Sequence, residues 1–134
     1  MILLDTSFIV AYYNTRDENH GKAIELMKEL EEGKYGDLCI TDYIFDECMT
    51  VIFIRLKNLE KTIEIGNTLR KLTRMLRIEN DIFEDSWNFF KNQKETAFSF
   101  TDCTTVSLMK KENTINITTF DEDFRKIKGI NVVG

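Results

Sequence analysis

The chain of 134 residues contains no proline, only one histidine, three cysteines and six glycines. With no proline, no low-complexity stretch and no internal repeat, there is no linker, and one compact domain spanning residues 1–134 is expected. Glycine punctuation is expected only at Gly33 to Gly36, at Gly66 and at the C-terminus. The lone His20 excludes any mechanism that needs two histidines and leaves tyrosine, lysine and carboxylates as acid–base groups. Cys39, Cys48 and Cys103 form no CxxC pair and no zinc-ligand pattern, so they read as small buried hydrophobes in a reducing cytoplasm. No apolar run approaches the roughly 20 residues of a membrane span. The N-terminus lacks a basic region followed by an apolar stretch and a small-residue cleavage site, so no signal peptide is expected.

Positive charge is also scarce overall, with a net charge of −5, which is not the balance of a general nucleic-acid binder. Its distribution is uneven. Arg55, Lys57, Lys61, Arg70, Lys71, Arg74 and Arg77 face only Glu60 and Glu64 within the same segment, which therefore carries +5 and leaves −10 for the rest. Such a strip could track a phosphate backbone; a solvated helix face is the plainer explanation.

Short apolar runs alternate with helical periodicities. Ile2 to Leu4, Leu38 to Ile40, Met75 to Ile78, Ile115 to Thr119 and Ile130 to Val133 read as strands. Helices are expected over Phe8–Tyr13, from Asp17–Asn19 to about Gly33, from a cap at Thr41 or Asp42 to Leu56, over 59–75 and 81–95, from a cap at Thr101 to Lys111, and over Asp121–Ile127. The alternation predicts an α/β fold with a mainly parallel sheet of about five strands flanked by helices.

Against this frame four carboxylates stand on apolar ground. Asp5 and Asp121 each lie just past the carboxyl end of a predicted strand, where parallel sheets bind ligands and where a helix N-terminus favours negative charge. Either alone could be a plain N-cap. Glu47 aligns at helical steps with Ile40, Ile44, Val51 and Ile54, so it interrupts an apolar stripe, whereas Asp46 aligns with Asp42 and Thr50 on a polar face. A buried ion pair is the alternative for Glu47. Asp102 aligns with Val106 and Met109 and points toward the core side; a first-turn carboxylate complementing the helix dipole is the alternative.

Carboxylates gathered in one place repel and raise each other's pKa values. A hard cation, Mg²⁺ or Mn²⁺, reverses this because it prefers oxygen ligands. It could orient a phosphodiester, help generate hydroxide from water and stabilise the leaving oxygen. It would also let an acidic pocket meet an acidic polymer.

The stretches Leu4-Asp5-Thr6-Ser7, Thr41-Asp42-Tyr43 with Glu47, Ser99-Phe100-Thr101-Asp102-Cys103, and Thr119-Phe120-Asp121-Glu122-Asp123-Phe124 resemble the PIN-domain ribonucleases, and within them the VapC toxins of VapBC toxin–antitoxin pairs. Their order and spacing run the length of the chain. The resemblance implies a PIN-like parallel sheet, and a metal site made of Asp5, Glu47, Asp102 and Asp121. It also implies Mg²⁺- or Mn²⁺-dependent RNA hydrolysis, a homodimer, and inhibition by a cognate antitoxin. Ser7, Thr101 and Thr119 match small polar positions near the family's metal; Thr101 and Thr119 are read here chiefly as caps. Asp123 is read as a surface acid rather than an outer ligand. His20 is assigned a local structural hydrogen bond. Trp87, Phe89, Phe90, Phe98 and Phe100 are read as core, with a groove for an antitoxin helix as the alternative.

The expectation is an endoribonuclease in which metal-activated water attacks the phosphodiester in line, leaving 5′-phosphate and 3′-hydroxyl ends, with the basic 55–77 segment on the RNA backbone. A non-catalytic PIN-like binding module is the alternative. A phosphotransfer domain fits less well. A haloacid-type phosphatase wants a second aspartate where Ser7 stands. A receiver domain wants an acidic pair and a late lysine that are not there.

Overall fold

A computed structural model describes residues 1–134. Five parallel strands form one sheet, β1 (Ile2–Leu4), β2 (Leu38–Thr41), β3 (Arg74–Leu76), β4 (Asn116–Thr118) and β5 (Asn131–Val132), in the order β3-β2-β1-β4-β5. Leu3 of the central strand sits opposite Cys39 on one side and Ile117 on the other. The six α-helices are α1 (Thr6–Tyr13), α2 (His20–Glu31), α3 (Asp42–Leu56), α4 (Leu59–Leu72), α5 (Asn80–Asn92) and α6 (Phe100–Lys111), with a 3-10 turn at Glu122–Lys126. The expected α/β class and every expected strand are present, with ends differing by a residue or two.

Strand alternation divides the interior into two cores. Ile2, Leu4, Leu38 and Ile40 point to the face covered by α1 to α4, where they pack with Phe8, Ile44 and Leu69. Leu3, Cys39 and Ile117 point to the opposite face and meet Ile82, Phe98, Val106 and Met109 of the α5–α6 side. Burial on both faces is why β1 and β2 read as unbroken apolar runs rather than as alternating ones. The three cysteines are buried and free, as expected.

Three local expectations are corrected. The cap of α6 is Ser99, not Thr101: the Ser99 hydroxyl accepts from the Asp102 amide while the Asp102 carboxylate accepts from the Ser99 amide, a reciprocal capping box. Gly66 does not punctuate; it lies inside α4, where a Cβ would come within 2.8 Å of the Met49 sulfur, so its bareness lets α4 approach α3. The aromatic cluster divides. Phe98 and Phe89 belong to the core, whereas Trp87 is 46% and Phe90 38% exposed, and Phe100 packs with neither core.

Candidate metal site and family

All four predicted carboxylates line one cleft of about 820 Å³ at the carboxyl edge of the sheet. Each comes from a different element: Asp5 from the end of β1, Glu47 from α3, Asp102 from α6, and Asp121 from the turn after β4. The topology places β1 beside both β2 and β4, so the three loops that follow these strands open on the same rim.

Asp5 is 3% exposed. It occupies the N-cap position of α1, yet its side chain makes no cap hydrogen bond, which removes the plain-cap alternative. Instead Oδ2 accepts from the Thr119 hydroxyl at 2.7 Å and from the Ser7 hydroxyl at 2.9 Å. Those hydroxyls are themselves oriented by backbone amides: Phe120 N–H donates to Ser7 Oγ and Asp121 N–H to Thr119 Oγ1. With both hydroxyl protons committed to Oδ2, that oxygen is well supplied. Oδ1 is buried and has no partner. Burial drives the Asp5 carboxyl above the ordinary carboxylate range, against the opposing hydrogen bonds from Thr119 and Ser7, and the nearby Glu47 charge adds to the rise.

Asp102 is half-buried, and desolvation, followed by the charge of Asp5, pushes its pKa up to about 7. Glu47 is half-buried where Asp46 is exposed, as the helical spacing predicts. It lines the cleft together with Val51 and Arg55, at four-residue steps on one face of α3. Its stripe is less buried than expected, since Ile54 is 64% exposed. Asp121 does act as a cap, accepting from the Asp123 amide through Oδ1, while also lining the cleft.

The acids that do have cationic partners are others. Asp17 pairs with Arg55, Asp42 with Arg77, Asp81 with Lys111, Glu122 with Arg125 and Asp123 with Lys126. None of the four predicted carboxylates is in an ion pair, although Asp17 and Arg55 also line the cleft, so the ion-pair alternative for Glu47 fails. Asp123 also accepts from the Ala97 amide and does not line the cleft. Thr119, expected to be chiefly a cap, instead supports Asp5. Thr101 neither caps α6 nor lines the cleft. His20 Nδ1 bonds the Ala11 carbonyl at 2.8 Å, tying α2 to α1.

Sequence reasoning missed two parts of the site. Ser99 lines the cleft and holds Asp102; its signal was the Ser99-x-x-Asp102 spacing. The polar loop between α1 and α2 forms another wall through Asn14, Arg16 and Glu18. Of the seven basic residues between 55 and 77, only Arg55 reaches the cleft.

The donor set is entirely hard oxygen, none of the four carboxylates is in an ion pair, and one buried carboxylate oxygen is unsatisfied. These properties fit a divalent cation. The carboxylates line the cleft without already converging on a single point.

Comparison with known proteins decides the family. The PIN domain family model matches residues 2–130. The chain belongs to the PIN domain family. This PIN-domain chain is 28% identical over 124 residues to the 23S rRNA-specific endonuclease VapC20 of Mycobacterium tuberculosis, covering 92% of each chain. It is 24% identical over 123 residues to a VapC ribonuclease of Archaeoglobus fulgidus, covering 91% of this chain and 78% of the relative. The crystal structure of VapC20, described as a Sarcin-Ricin loop cleaving toxin, superposes with a TM-score of 0.83 at 26% identity, over 99% of this chain and 98% of that one. A toxin–antitoxin complex from Klebsiella pneumoniae shares the fold, with a TM-score of 0.70 at 16% identity over 98% and 97%. The resemblance read from the four sequence stretches is borne out. No helix is long and apolar enough to cross a membrane.

Proposed function

We propose that this PIN-domain protein is a divalent-metal-dependent endoribonuclease, the toxin of a toxin–antitoxin pair. The observation that carries the reading is Asp5: a buried carboxylate with an unpartnered oxygen, sharing a cleft with Glu47, Asp102 and Asp121, none of which is in an ion pair. Asp5 and Asp102 would be the main ligands of Mg²⁺ or Mn²⁺, with Glu47 and Asp121 completing the site directly or through water. The bound ion would supply Lewis-acid activation of water and charge stabilisation at the phosphodiester.

The remaining work falls to the chain's own side chains. Ser7 and Thr119 hold Asp5 in one rotamer by saturating Oδ2. Ser99 holds Asp102 through the capping box. Of the four proposed site carboxylates, Glu47 alone has no hydrogen-bond partner, which would suit it to accept a proton from an attacking water. Arg55, held by Asp17, and Arg16 are placed to meet phosphate at the cleft wall. An RNA strand, a cognate antitoxin and a second copy of the chain are the proposed partners, in the cytoplasm. The similarity to VapC20 supports the RNA substrate, and the shared fold with a toxin–antitoxin complex is consistent with the antitoxin.

The test is incubation of the purified protein with RNA in Mg²⁺ or Mn²⁺ and in chelator. Internal cleavage leaving 5′-phosphate and 3′-hydroxyl ends is expected with the ion and none with chelator. Cleavage that persists in chelator would contradict the proposal.

A further inference from the structure

Residues 93–99, between α5 and α6, form neither helix nor strand, yet the segment is firmly tied. Gln93 closes it on itself. Its side-chain oxygen accepts from the Phe98 amide and the Thr96 hydroxyl, each at 2.8 Å, and its side-chain nitrogen donates to the Phe98 carbonyl at 3.0 Å. Both backbone polar groups of Phe98 are thereby satisfied where no helix or strand supplies partners. The segment is then fastened to the turn after β4 at three points. The buried rings of Phe98 and Phe124 lie 4.7 Å apart. Asp123 Oδ2 accepts from the Ala97 amide at 2.8 Å. The Lys126 ammonium donates to the Glu95 carbonyl at 2.9 Å and pairs with Asp123 Oδ1 at 2.7 Å.

Asp123 thus stands between two of the proposed site carboxylates without lining the cleft itself. Its backbone amide donates to Asp121 Oδ1 at 2.9 Å. Its own carboxylate holds Ala97, two residues before Ser99, and the Ser99 amide and hydroxyl hold Asp102. Along the chain, Asp102 and Asp121 are joined only through the whole of α6 and β4. Across Asp123 the same two acids are joined by a short run of hydrogen bonds. The bond from the Ala97 amide to a carboxylate is charge-assisted and directional. The pairing with Lys126, whose side chain is 51% exposed, contributes little. A bound cation fixes its ligand distances to within about 0.2 Å. A shift of either acid that is too small to unfold the domain therefore still reaches the ion.

Resting on the metal-dependent reading above, we propose that Asp123 is a positioning residue. Through Ala97 on one side and Asp121 on the other, it sets the separation of Asp102 and Asp121 and so the affinity of the cleft for a divalent cation. It touches neither the ion nor the RNA. Cation affinity in this chain is then a property of the 93–98 segment as well as of the four acids.

The test is calorimetric titration of the full chain with Mn²⁺, with denaturant unfolding in chelator to follow the fold separately. Asp123→Ala should bind Mn²⁺ about tenfold or more weakly, the scale for losing a group that orients a ligand. Asp123→Asn keeps an oxygen for the Ala97 amide and should restore most of the affinity. Lys126→Met removes the ion pair, leaves the Asp123–Ala97 bond and should bind as wild type does. Should Asp123→Ala not fold, Asp123→Glu carries the test: it keeps the charge, displaces the oxygens by one methylene and should also weaken Mn²⁺ binding. The proposal is overturned if the folded alanine variant, or the glutamate variant in its place, binds Mn²⁺ as tightly as wild type. It is also overturned if Lys126→Met loses as much affinity as Asp123→Ala, which would assign the effect to the ion pair. The ribonuclease reading fails separately. Wild-type protein that binds Mn²⁺ but cleaves no RNA removes the enzyme and leaves the role of Asp123, whereas wild-type protein that binds no Mn²⁺ removes both.

Discussion

Thr119 donates a 2.7 Å hydrogen bond to Oδ2 of Asp5 across 114 residues of chain. With the Ser7 hydroxyl on the same oxygen, this bond supplies one side of the carboxylate and leaves Oδ1 without a donor. Hydrogen bonds to a carboxylate favour its charged form, so they partly offset the burial that raises the Asp5 pKa.

Removing that donor should therefore shift the acid limb of activity. In Thr119→Val the Asp5 carboxyl loses a bond that favours ionisation, its pKa rises further, and a higher pH is needed to reach the ionised form. The pH profile of RNA cleavage should move to higher pH relative to wild type. An unmoved acid limb with unchanged rate would show that Thr119 is not supporting Asp5.

Asp102 gives a stability prediction with a definite sign. Its folded pKa, about 7, lies above the ordinary 3.8. Below the lower value both states are protonated and the group is neutral in its effect. As pH rises toward 7 the unfolded chain ionises first, so the folded state loses stability across that window. Asp102→Asn retains an acceptor for the Ser99 amide and abolishes the charge. In chelator it should stabilise the protein by about 2 kcal/mol at pH 8, allowing for partial exposure, and by nothing measurable at pH 3. Thermal melts at the two pH values check this. Added Mn²⁺ should raise the wild-type melting temperature at pH 8 and raise that of Asp102→Asn much less.

Ser99→Ala breaks the half of the capping box made by the hydroxyl and keeps the half donated by the residue-99 backbone amide to the Asp102 carboxylate. It should cost about 1 kcal/mol of stability, the usual worth of an N-cap, and lower cleavage less than the loss of Asp102 itself, because the amide still anchors the carboxylate. Ser99→Thr should restore both. Denaturant unfolding and a cleavage assay separate the two effects.

Neighbouring acids on α3 should behave oppositely. Glu47→Gln should leave the fold intact and reduce cleavage about tenfold or more, the scale of perturbing a metal site's surroundings. Asp46→Asn should be indistinguishable from wild type in both respects. Equal losses in the two variants would mean that the cleft wall is misassigned.

That contrast between Glu47 and Asp46 was legible in the sequence, because a helix sorts adjacent residues onto different faces by a fixed period. The strands were legible for a similar reason, since burial on both faces leaves continuous apolar runs such as Ile2 to Leu4. Contacts closed by the fold were not. Ser7 and Thr119 meet over Asp5 only because β1 and β4 are neighbours, and nothing local signals it. The cap of α6 was within reach from Ser99-x-x-Asp102, but Thr101 offered a competing hydroxyl two residues later. The aromatic stripe of α5 misled for the opposite reason: Phe83, Trp87 and Phe90 have the spacing of a core face, and only the packed structure shows that Ile82, Ser86 and Phe89 already fill that role.

On the proposed reading, Asp5, in its unpartnered, buried setting, anchors the ion on which RNA cleavage depends. The most direct measurement is the rate of RNA cleavage by Asp5→Asn in Mg²⁺ or Mn²⁺, with thermal unfolding in chelator to confirm that the fold survives. A folded variant that cleaves about a hundredfold or more slowly than wild type is predicted. A folded variant that cleaves as fast as wild type would contradict the account.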